Sequence, residues 1–119
     1  MTDAIWELVE LRGVPAVAKD YPRHPTLRFH ASTQRVSGYS GVNTFGGVYE
    51  LTGAKLKLRL LMSTMMAGPE ELMTLEQRYN ATLGEVDGWR LTPAGLELSK
   101  GDHVVARFRP LPAAIGTAN

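Results

Sequence analysis

The residues most able to do chemistry are three histidines, His24, His30 and His103. None has another histidine at the short spacing typical of a local metal site, so we interpret them as surface histidines. The chain has no cysteine, which excludes a disulfide, a thiolate nucleophile and a cysteine metal site. We therefore expect no bound metal ion and no cofactor.

Hydroxyl and carboxylate side chains do not form a catalytic group either. Ser40, Ser63 and Thr64 carry hydroxyls, but a serine nucleophile needs a base and an orienting acid, and no nucleophile-elbow motif surrounds any of them. Glu70 and Glu71 are adjacent carboxylates, and a helix start explains them because acidic side chains stabilise the positive end of the helix dipole. The sequence therefore predicts a protein that is not an enzyme.

Residues 38–49 hold four glycines, one asparagine and three aromatic residues. A phosphate-binding loop needs a lysine after its last glycine and a helix behind it, whereas here no lysine follows and the next segment has a strand pattern. We interpret the glycines as turn and bulge positions, and Asn43 as a bracket that binds nearby backbone rather than a ligand. Gly47 lies within a predicted strand and indicates a bulge or a sharp bend, around which the sheet curves.

The charged residues give no sign of a nucleic-acid partner. The 13 basic residues nearly balance the 12 acidic ones, so no overall field attracts a polyanion or an anionic membrane. Lys55, Lys57 and Arg59 alternate with leucines and form a cationic row on one face of a predicted strand, and together with Arg107 and Arg109 they are candidates for a basic face. Nucleic-acid binders combine such rows with exposed aromatics, whereas the aromatics here fall on inward faces. A solvated face that protects a sheet edge is the favoured interpretation.

Four methionines, Met62, Met65, Met66 and Met73, cluster before and at the predicted helix start. Methionines fill irregular gaps in a core, and they also line adaptable apolar grooves. We favour core filling for the cluster. The alternative is a groove beside the helix, lined by Met62, Met65 and Met66, that binds an apolar ligand or a peptide.

Hydrophobic periodicity predicts eight strands and one helix. The strands cover residues 5–11, 26–30, 34–38, 45–51, 55–60, 89–92, 96–99 and 104–109. The helix covers about residues 69–84, because Pro69 suits a first helical position and leucines and Tyr79 follow at helical spacing. Gly84 is the expected C-terminal cap. The proline-rich segment 14–25 is predicted to be a loop.

This order of elements predicts an α+β fold in which a strongly bent antiparallel sheet, a partial barrel, packs on the single helix. We expect one domain over residues 1–110 and a frayed tail over residues 111–119. In the segment 104–109, Val104 and Phe108 are expected to face inward and Val105 outward. The inward-facing residues are predicted to be Trp6, Leu8, Leu27, Phe29, Phe45, Leu56, Leu58, Leu60, Trp89, Leu91, Leu96, Leu98 and Phe108.

The N-terminus has no signal-peptide pattern. Residues 1–4 lack a basic region, and Glu7 and Glu10 interrupt the apolar segment that follows. The longest apolar run is too short to span a bilayer. The sequence is compatible with a cytoplasmic protein and with one whose targeting segment has been removed.

Five segments together resemble the META (HslJ-like) domain family over nearly the whole chain: residues 6–8 (WEL), 38–49 (GYSGVNTFGGVY), 63–68 (STMMAG), 96–98 (LEL) and 108–109 (FR). The resemblance implies a small α+β domain, often in an envelope lipoprotein linked to heat shock or novobiocin resistance. It implies no reaction, because the biochemical activity of the family is not established and no catalytic residue carries over. The motif residues, interpreted as structural, are Gly38, Gly41, Asn43, Phe45, Gly47, Tyr49 and Thr64.

The chain departs from the family pattern at three positions. Many members have cysteines where this chain has Val42 and Gly68. Their joint loss is expected if the two cysteines form a pair, and it weakens an inference to an oxidising compartment. Many members also have an arginine where this chain has Met65, so any role of that arginine is absent here.

The residues and the resemblance together predict a non-enzymatic binding or structural module in the cell envelope or in stress tolerance. The alternative is a carrier of an apolar ligand or peptide in the groove beside the helix. We expect a monomer whose partner is a protein or an apolar small molecule. The resemblance implies the cell envelope, while the lack of a signal peptide and of cysteine leaves the cytoplasm open.

Overall fold

The computed structural model describes residues 4–16 and 23–111 of the chain. Nine strands and one helix lie in these ranges: β1 (Ile5–Leu11), β2 (Val14–Pro15), β3 (Thr26–His30), β4 (Arg35–Tyr39), β5 (Thr44–Thr52), β6 (Lys55–Ser63), α1 (Glu70–Glu85), β7 (Gly88–Thr92), β8 (Gly95–Lys100) and β9 (His103–Pro110). The prediction of strands, one helix and further strands is confirmed. The two-residue strand β2 was predicted to be loop, and it forms by pairing with β1.

All nine strands form one antiparallel sheet in the order β2-β1-β3-β4-β5-β6-β7-β8-β9. Strand β1 also pairs with β9, so the sheet curls into a ring-like partial barrel. The weakest joint of the ring lies between β6 and β7, which share a single residue pair, Lys55 with Gly88. Helix α1 connects these two strands and packs beside β6, which confirms the predicted bent sheet on a single helix.

Helix α1 begins one residue later than predicted, with Pro69 as its N-cap residue and Glu70 and Glu71 in the first turn. Its buried side includes Tyr79, whose hydroxyl donates a hydrogen bond of 2.8 Å to the Thr26 carbonyl of β3. Burial raises the pKa of Tyr79 well above its ordinary value. The prediction that Gly84 caps the helix is wrong, because the helix continues to Glu85 and its C-cap residue is Val86.

The core lies between the inner face of the sheet and α1, and ten of the predicted inward-facing residues are buried. Leu60 and Trp89 are partly buried against this core. Leu91 was predicted to face inward and is 47% exposed, because it lies at the end of β7 away from the single pair with β6. Val105 was predicted to face outward and is buried, because a bulge in the β8–β9 register makes it an extra residue between Val104 and Ala106.

Parts of two predictions lie outside the described residues. The structure describes the predicted loop 14–25 except for residues 17–22, and the predicted tail 111–119 only at Leu111. The domain boundary at residue 110 therefore stays a prediction. Within residues 4–16 and 23–111, no helix is both long enough and apolar enough to cross a membrane.

An ion-pair ladder joins four strands on the outer face of the ring. Arg90 of β7 binds Glu97 of β8 at 2.5 Å, and Glu97 also binds Arg107 of β9. Arg107 continues the ladder to Glu10 of β1 at 3.0 Å. A separate pair joins β9 to β1, with 2.7 Å between Arg109 and Glu7. The outer cations of this side of the ring are therefore matched by carboxylates.

Candidate functional site

The turn between β4 and β5 brings the backbone of Gly41 against helix α1. Gly41 has a φ of +135°, and a Cβ atom placed on it would lie 2.9 Å from the Leu72 carbonyl oxygen. The turn is closed by a hydrogen bond of 2.8 Å that the Ser40 amide donates to the Asn43 carbonyl. A glycine is required here because both the backbone conformation and the approach of the helix exclude a side chain.

The side chain of Asn43 is buried and links three parts of the chain. Its Nδ2 donates to the Met66 carbonyl at 3.1 Å and to Glu76 Oε2 at 2.8 Å. Its Oδ1 accepts from the Thr64 hydroxyl at 2.8 Å and from the Met66 amide at 2.7 Å. Both donors and both acceptors of the amide are thereby used.

Glu76 of α1 is buried and holds the same turn from the helix side. Its Oε1 accepts from the backbone amides of Val42 at 3.1 Å and Asn43 at 2.6 Å. Burial of the carboxylate raises the pKa of Glu76, but the hydrogen bonds from the Asn43 side chain and from the two backbone amides lower it by more. The pKa therefore lies below its ordinary value, and Glu76 is ionised and firmly bound at neutral pH.

Thr64 joins the segment after β6 to the start of β5. Its amide donates to the Thr44 carbonyl at 3.0 Å, and its hydroxyl oxygen accepts from the Thr44 amide at 3.1 Å. The hydroxyl also donates to Asn43, as described above. We refer to Asn43, Thr64 and Glu76 as the polar bracket, because together they hold the β4–β5 turn, the segment 64–69 and α1.

The other motif residues lie in the sheet and the core. A Cβ atom on Gly38 would lie 2.2 Å from the Thr26 carbonyl oxygen, and one on Gly47 would lie 2.1 Å from the Arg59 carbonyl oxygen. Phe45 and Tyr49 are buried. Their rings contact those of α1 and β3, at 6.1 Å from Phe45 to Tyr79 and 5.1 Å from Tyr49 to Phe29. These contacts support our proposal that the motif is structural.

The register of β5 and β6 shifts beside Gly46 and Gly47. Gly46 pairs with Met62 and Gly47 with Leu60, so Leu61 is an extra residue on β6. The bulge thus lies on the strand opposite the glycines.

Val42 and Gly68, which stand at the two cysteine positions of the resemblance, are in contact. A Cβ atom built on Gly68 would lie 3.6 Å from the Cβ atom of Val42. This distance falls within the range of about 3.5–4.5 Å that a disulfide requires. The contact supports the interpretation of the two positions as a pair. In this chain the Val42 side chain packs against the backbone of Gly68, which has no side chain.

The methionines before the helix do not fill the core. Met62, Met65 and Met66 are 62%, 92% and 57% exposed, and the adjacent Leu61 is 54% exposed. The favoured prediction of core filling is wrong for these three, because β6 bulges at Leu61 and the hydrogen bonds that hold the following segment come from the Met66 backbone and from Thr64. We refer to Leu61, Met62, Met65 and Met66 as the methionine strip.

A groove of about 640 Å³ lies between β6 and α1. Its walls include Phe45, Leu58, Leu60 and Met62 on the sheet side. Asn80, Ala81 and Gly84 of α1 line the opposite wall. Of the three methionines predicted to line a groove beside the helix, only Met62 does so, and Met65 and Met66 lie outside it.

The outer edge of β6 has no strand partner beyond its first residues. The Leu56 amide donates to the Asp87 carbonyl at 3.2 Å, and this is the last hydrogen bond on that edge within the described part of the chain. Because hydrogen-bonding direction alternates along a strand, the backbone groups of Leu58 and Leu60 point the same way as those of Leu56. They face the groove and form no hydrogen bond with another described residue. Lys57 and Arg59, on the outer face of this edge, are exposed and form no ion pair among the described residues.

The side chains first considered for catalysis lie apart. His24 Nδ1 bonds the Leu8 carbonyl at 2.8 Å, His30 Nε2 bonds the Ser37 hydroxyl at 2.8 Å, and His103 is exposed. Within residues 4–16 and 23–111, no three histidine or carboxylate groups meet in a way that could hold a metal ion.

The family model of the META domain matches residues 1–111. The chain belongs to the META domain family. The same assignment was predicted from the motif residues and is confirmed.

Solved structures share the fold of this META domain. The NMR structure of a protein from Burkholderia xenovorans has a TM-score of 0.73 and 25% sequence identity, and the match covers 92% of this chain and 83% of that one. A second NMR structure has a TM-score of 0.65 and 24% identity, and the match covers 92% of this chain and 90% of the other. A search of curated proteins found no significant match. META is not a known enzyme family, so the match defines a fold and no reaction.

Sequence reasoning missed Glu76, the residue that anchors the polar bracket of the META domain. A signal was present, because Glu76 lies four residues after Leu72 and three before Tyr79 and so falls on the apolar side of the helix. A carboxylate on that side needs hydrogen-bond donors, which the amides of the β4–β5 turn supply.

Proposed function

We propose that this META domain is a non-enzymatic protein-binding module whose contact surface is the methionine strip. The observation that carries the proposal is the exposure of Leu61, Met62, Met65 and Met66, each more than half exposed within six residues of sequence. Contiguous apolar side chains on the surface of a soluble domain are typical of a binding site. Methionine suits such a surface because its flexible, polarisable side chain adapts to the shape of a partner.

The chemistry of the polar bracket supports a module without catalysis. The amide of Asn43 uses all its donors and acceptors within the domain, so none is left to bind a substrate. Glu76 has a lowered pKa and is therefore a weak base near neutral pH. The bracket stabilises the fold and holds the segment that carries the methionine strip.

A role in the cell envelope or in stress tolerance belongs to this proposal. Its support is the membership of the META domain family and what the resemblance implies about that family's setting. Comparison of a deletion strain with its parent under heat shock and novobiocin tests this role. Loss of resistance in the deletion strain, restored by the intact gene but not by a gene with serines at Met62, Met65 and Met66, is the expected result.

Site-specific photocrosslinking in the native host tests protein binding. A benzoylphenylalanine residue at Met65 should give a discrete adduct with one protein. The same group at Leu91, which is also apolar and exposed but lies on β7, should give none. The captured protein, once purified, should bind the domain directly and lose affinity for a variant with serines at Met62 and Met65. Equal crosslinking at both positions, or none at either, would contradict the proposal.

The second candidate function is a carrier of an apolar small molecule in the groove between β6 and α1. The apolar wall of Phe45, Leu58, Leu60 and Met62 favours it. The carrier predicts saturable, stoichiometric binding of a fatty acid or a similar probe, with NMR shifts confined to Leu58 and Ala81 and their neighbours. The protein-binding module predicts no saturable binding of such probes.

A further inference from the structure

The open edge of β6 offers backbone groups that match an extended polypeptide. Leu58 and Leu60 each direct one N–H and one C=O group away from β5, and these groups have no partner in the described part of the chain. Unpaired groups along a sheet edge are a template for one more strand. An extended segment presents complementary donors and acceptors at the same spacing, as in recognition by strand addition.

The groove decides which side chains such a strand carries on its inner side. A strand added beside β6 places alternate side chains on opposite faces of the sheet. Those on the inner side enter the groove, where they meet Leu60 and Ala81. Apolar side chains fit this wall because they remove its apolar surface from water.

The charges on the outer face of β6 favour acidic side chains on the outer side of an added strand. Lys57 and Arg59 lie on that face at the open edge, are exposed, and form no ion pair within residues 4–16 and 23–111. Glu50 of β5 lies opposite Lys57 in the register and does not form an ion pair with it. Acidic side chains on the outer face of an added strand would therefore lie beside two cations. Glu97 of β8 forms ion pairs of this kind with Arg90 of β7 and Arg107 of β9.

A second copy of the same strand fits the edge poorly. Antiparallel pairing of β6 with its own copy sets the cationic row of Lys55, Lys57 and Arg59 against the same row. Like charges opposite each other on neighbouring strands are destabilising. The row thus disfavours self-association and leaves the edge to a partner of opposite charge.

We propose that β6 binds an extended segment of a partner protein in which apolar and acidic residues alternate. The segment adds to the sheet as a strand beside Leu58 and Leu60, with its apolar side chains in the groove and its acidic side chains beside Lys57 and Arg59. This inference rests on the proposed protein-binding function and names the chemistry of the partner.

Labelled peptides test the inference with the whole chain. The probe is a nine-residue peptide that alternates valine with glutamate, and its binding is followed by fluorescence anisotropy at about 0.15 M salt, where exposed charges are partly screened. We expect saturable binding that shifts the amide resonances of Leu58 and Leu60. A peptide with lysine in place of glutamate should bind at least about tenfold more weakly because its charges oppose those of the edge. A peptide N-methylated at its valines should lose binding because it cannot donate to the edge.

Charge reversal in the protein gives the matched control. The variant K57E/R59E should lose the glutamate peptide and gain the lysine peptide. The variant R23E/R78E makes the same change in net charge at exposed residues before β3 and on α1, which form no ion pair among the described residues, and should bind as the parent does. Circular dichroism checks that both variants are folded.

Three outcomes would overturn the inference: no binding of the glutamate peptide at millimolar concentration, equal binding of its N-methylated form, or equal loss in both charge-reversal variants. The photocrosslinking result at Met65 is independent of them. A specific protein adduct without peptide binding would support the protein-binding function and exclude the strand-addition mode. Absence of the adduct and of peptide binding would contradict both proposals.

Discussion

The two sides of the ring differ in how completely their polar groups are matched. On the side formed by β7, β8, β9 and β1, the strands pair along their lengths and the outer arginines meet carboxylates. On the side that ends at β6, no described residue pairs with the strand edge beyond Leu56, and the methionine strip is exposed. We refer to these as the closed side and the open side. The closed side stabilises the domain, and the open side retains the groups that a partner could bind.

The polar bracket fixes the backbone of the segment that carries the methionine strip on the open side. It fixes the backbone of Met66 through Asn43 while the Met66 side chain remains 57% exposed. A segment held through its backbone can present apolar side chains without burying them. Exposure of the methionine strip is therefore a consequence of this geometry rather than of loose packing at a chain end.

The largest expected effect comes from Gly47→Val, at the joint of β5 and β6. A side chain there would start 2.1 Å from the Arg59 carbonyl oxygen and push the two strands apart. We expect a loss of about 3 kcal/mol or more, above the usual range for overpacking, and failure to fold if the domain is marginal. Urea unfolding measures it. Gly84→Ala is the control, since a Cβ atom there meets nothing within 4 Å and should stabilise the helix by about 0.5–1 kcal/mol. Unchanged stability of Gly47→Val would contradict the close approach of β5 and β6 at this residue.

Glu76→Ala should cost about 3 kcal/mol, because the amides of Val42 and Asn43 lose a charged acceptor inside the domain. Glu76→Gln keeps one carbonyl oxygen and should cost about half as much. Chemical denaturation of both variants checks the order. Equal losses would show that the charge and the second acceptor oxygen of Glu76 contribute nothing.

The pH dependence of stability should depend on the Glu76 carboxylate. The pKa of Glu76 is lower in the folded domain than its ordinary value, so its contribution is fully present above the unfolded pKa of about 4.3 and is lost as the pH falls through the folded pKa. Denaturation between about pH 6 and pH 3 should show this loss, and Glu76→Gln should reduce the slope. An identical slope in the variant would argue against a lowered pKa.

Neutralising charges should lower the stability of the domain more on the closed side than on the open side. Glu97→Gln removes the buried carboxylate that binds Arg90 and Arg107, and we expect a loss of about 1 kcal/mol because both arginines are largely exposed. The double variant K57Q/R59Q, whose cations form no ion pair with any described residue, should change stability by less than about 0.5 kcal/mol. Comparable losses in the two variants would remove the distinction between the sides.

The smallest effect on stability is expected from serines at Met62, Met65 and Met66. These side chains are mostly in water, so the unfolding free energy should change by less than about 0.5 kcal/mol. Binding of the crosslinked partner should fall at least about tenfold, which is the loss of about 1.4 kcal/mol of contact energy. A variant that unfolds more readily would show that the strip contributes to the core.

The sequence predicted the features that depend on local pattern and missed those that depend on distant contacts. Alternation of leucine with cations in residues 55–60 was enough to define β6, and helical spacing was enough to define α1. Closure of the ring by β1 and β9 was not predictable, because it pairs Trp6 with Pro110 across almost the whole chain.

The candidate site was predicted less completely than the fold. Asn43 was identified as a bracket from its residue type, whereas its partner Glu76 was overlooked among the charges of the helix. The methionine cluster was found, but its burial depends on whether another segment covers it, and sequence pattern does not contain that information. The single pair between β6 and β7, which leaves the edge open, likewise follows from three-dimensional packing alone.

Amide hydrogen exchange at Leu58 and Leu60 tests the central claim most directly. We predict fast exchange of both amides in the free domain, because they lie on the unpaired edge of β6, and slow exchange of the Leu96 and Leu98 amides, because β8 is paired on both sides. Addition of the glutamate peptide should slow exchange at Leu58 and Leu60 and leave Leu96 and Leu98 unchanged. Protection of Leu58 and Leu60 in the free domain equal to that of Leu96 and Leu98 would contradict the existence of an open side.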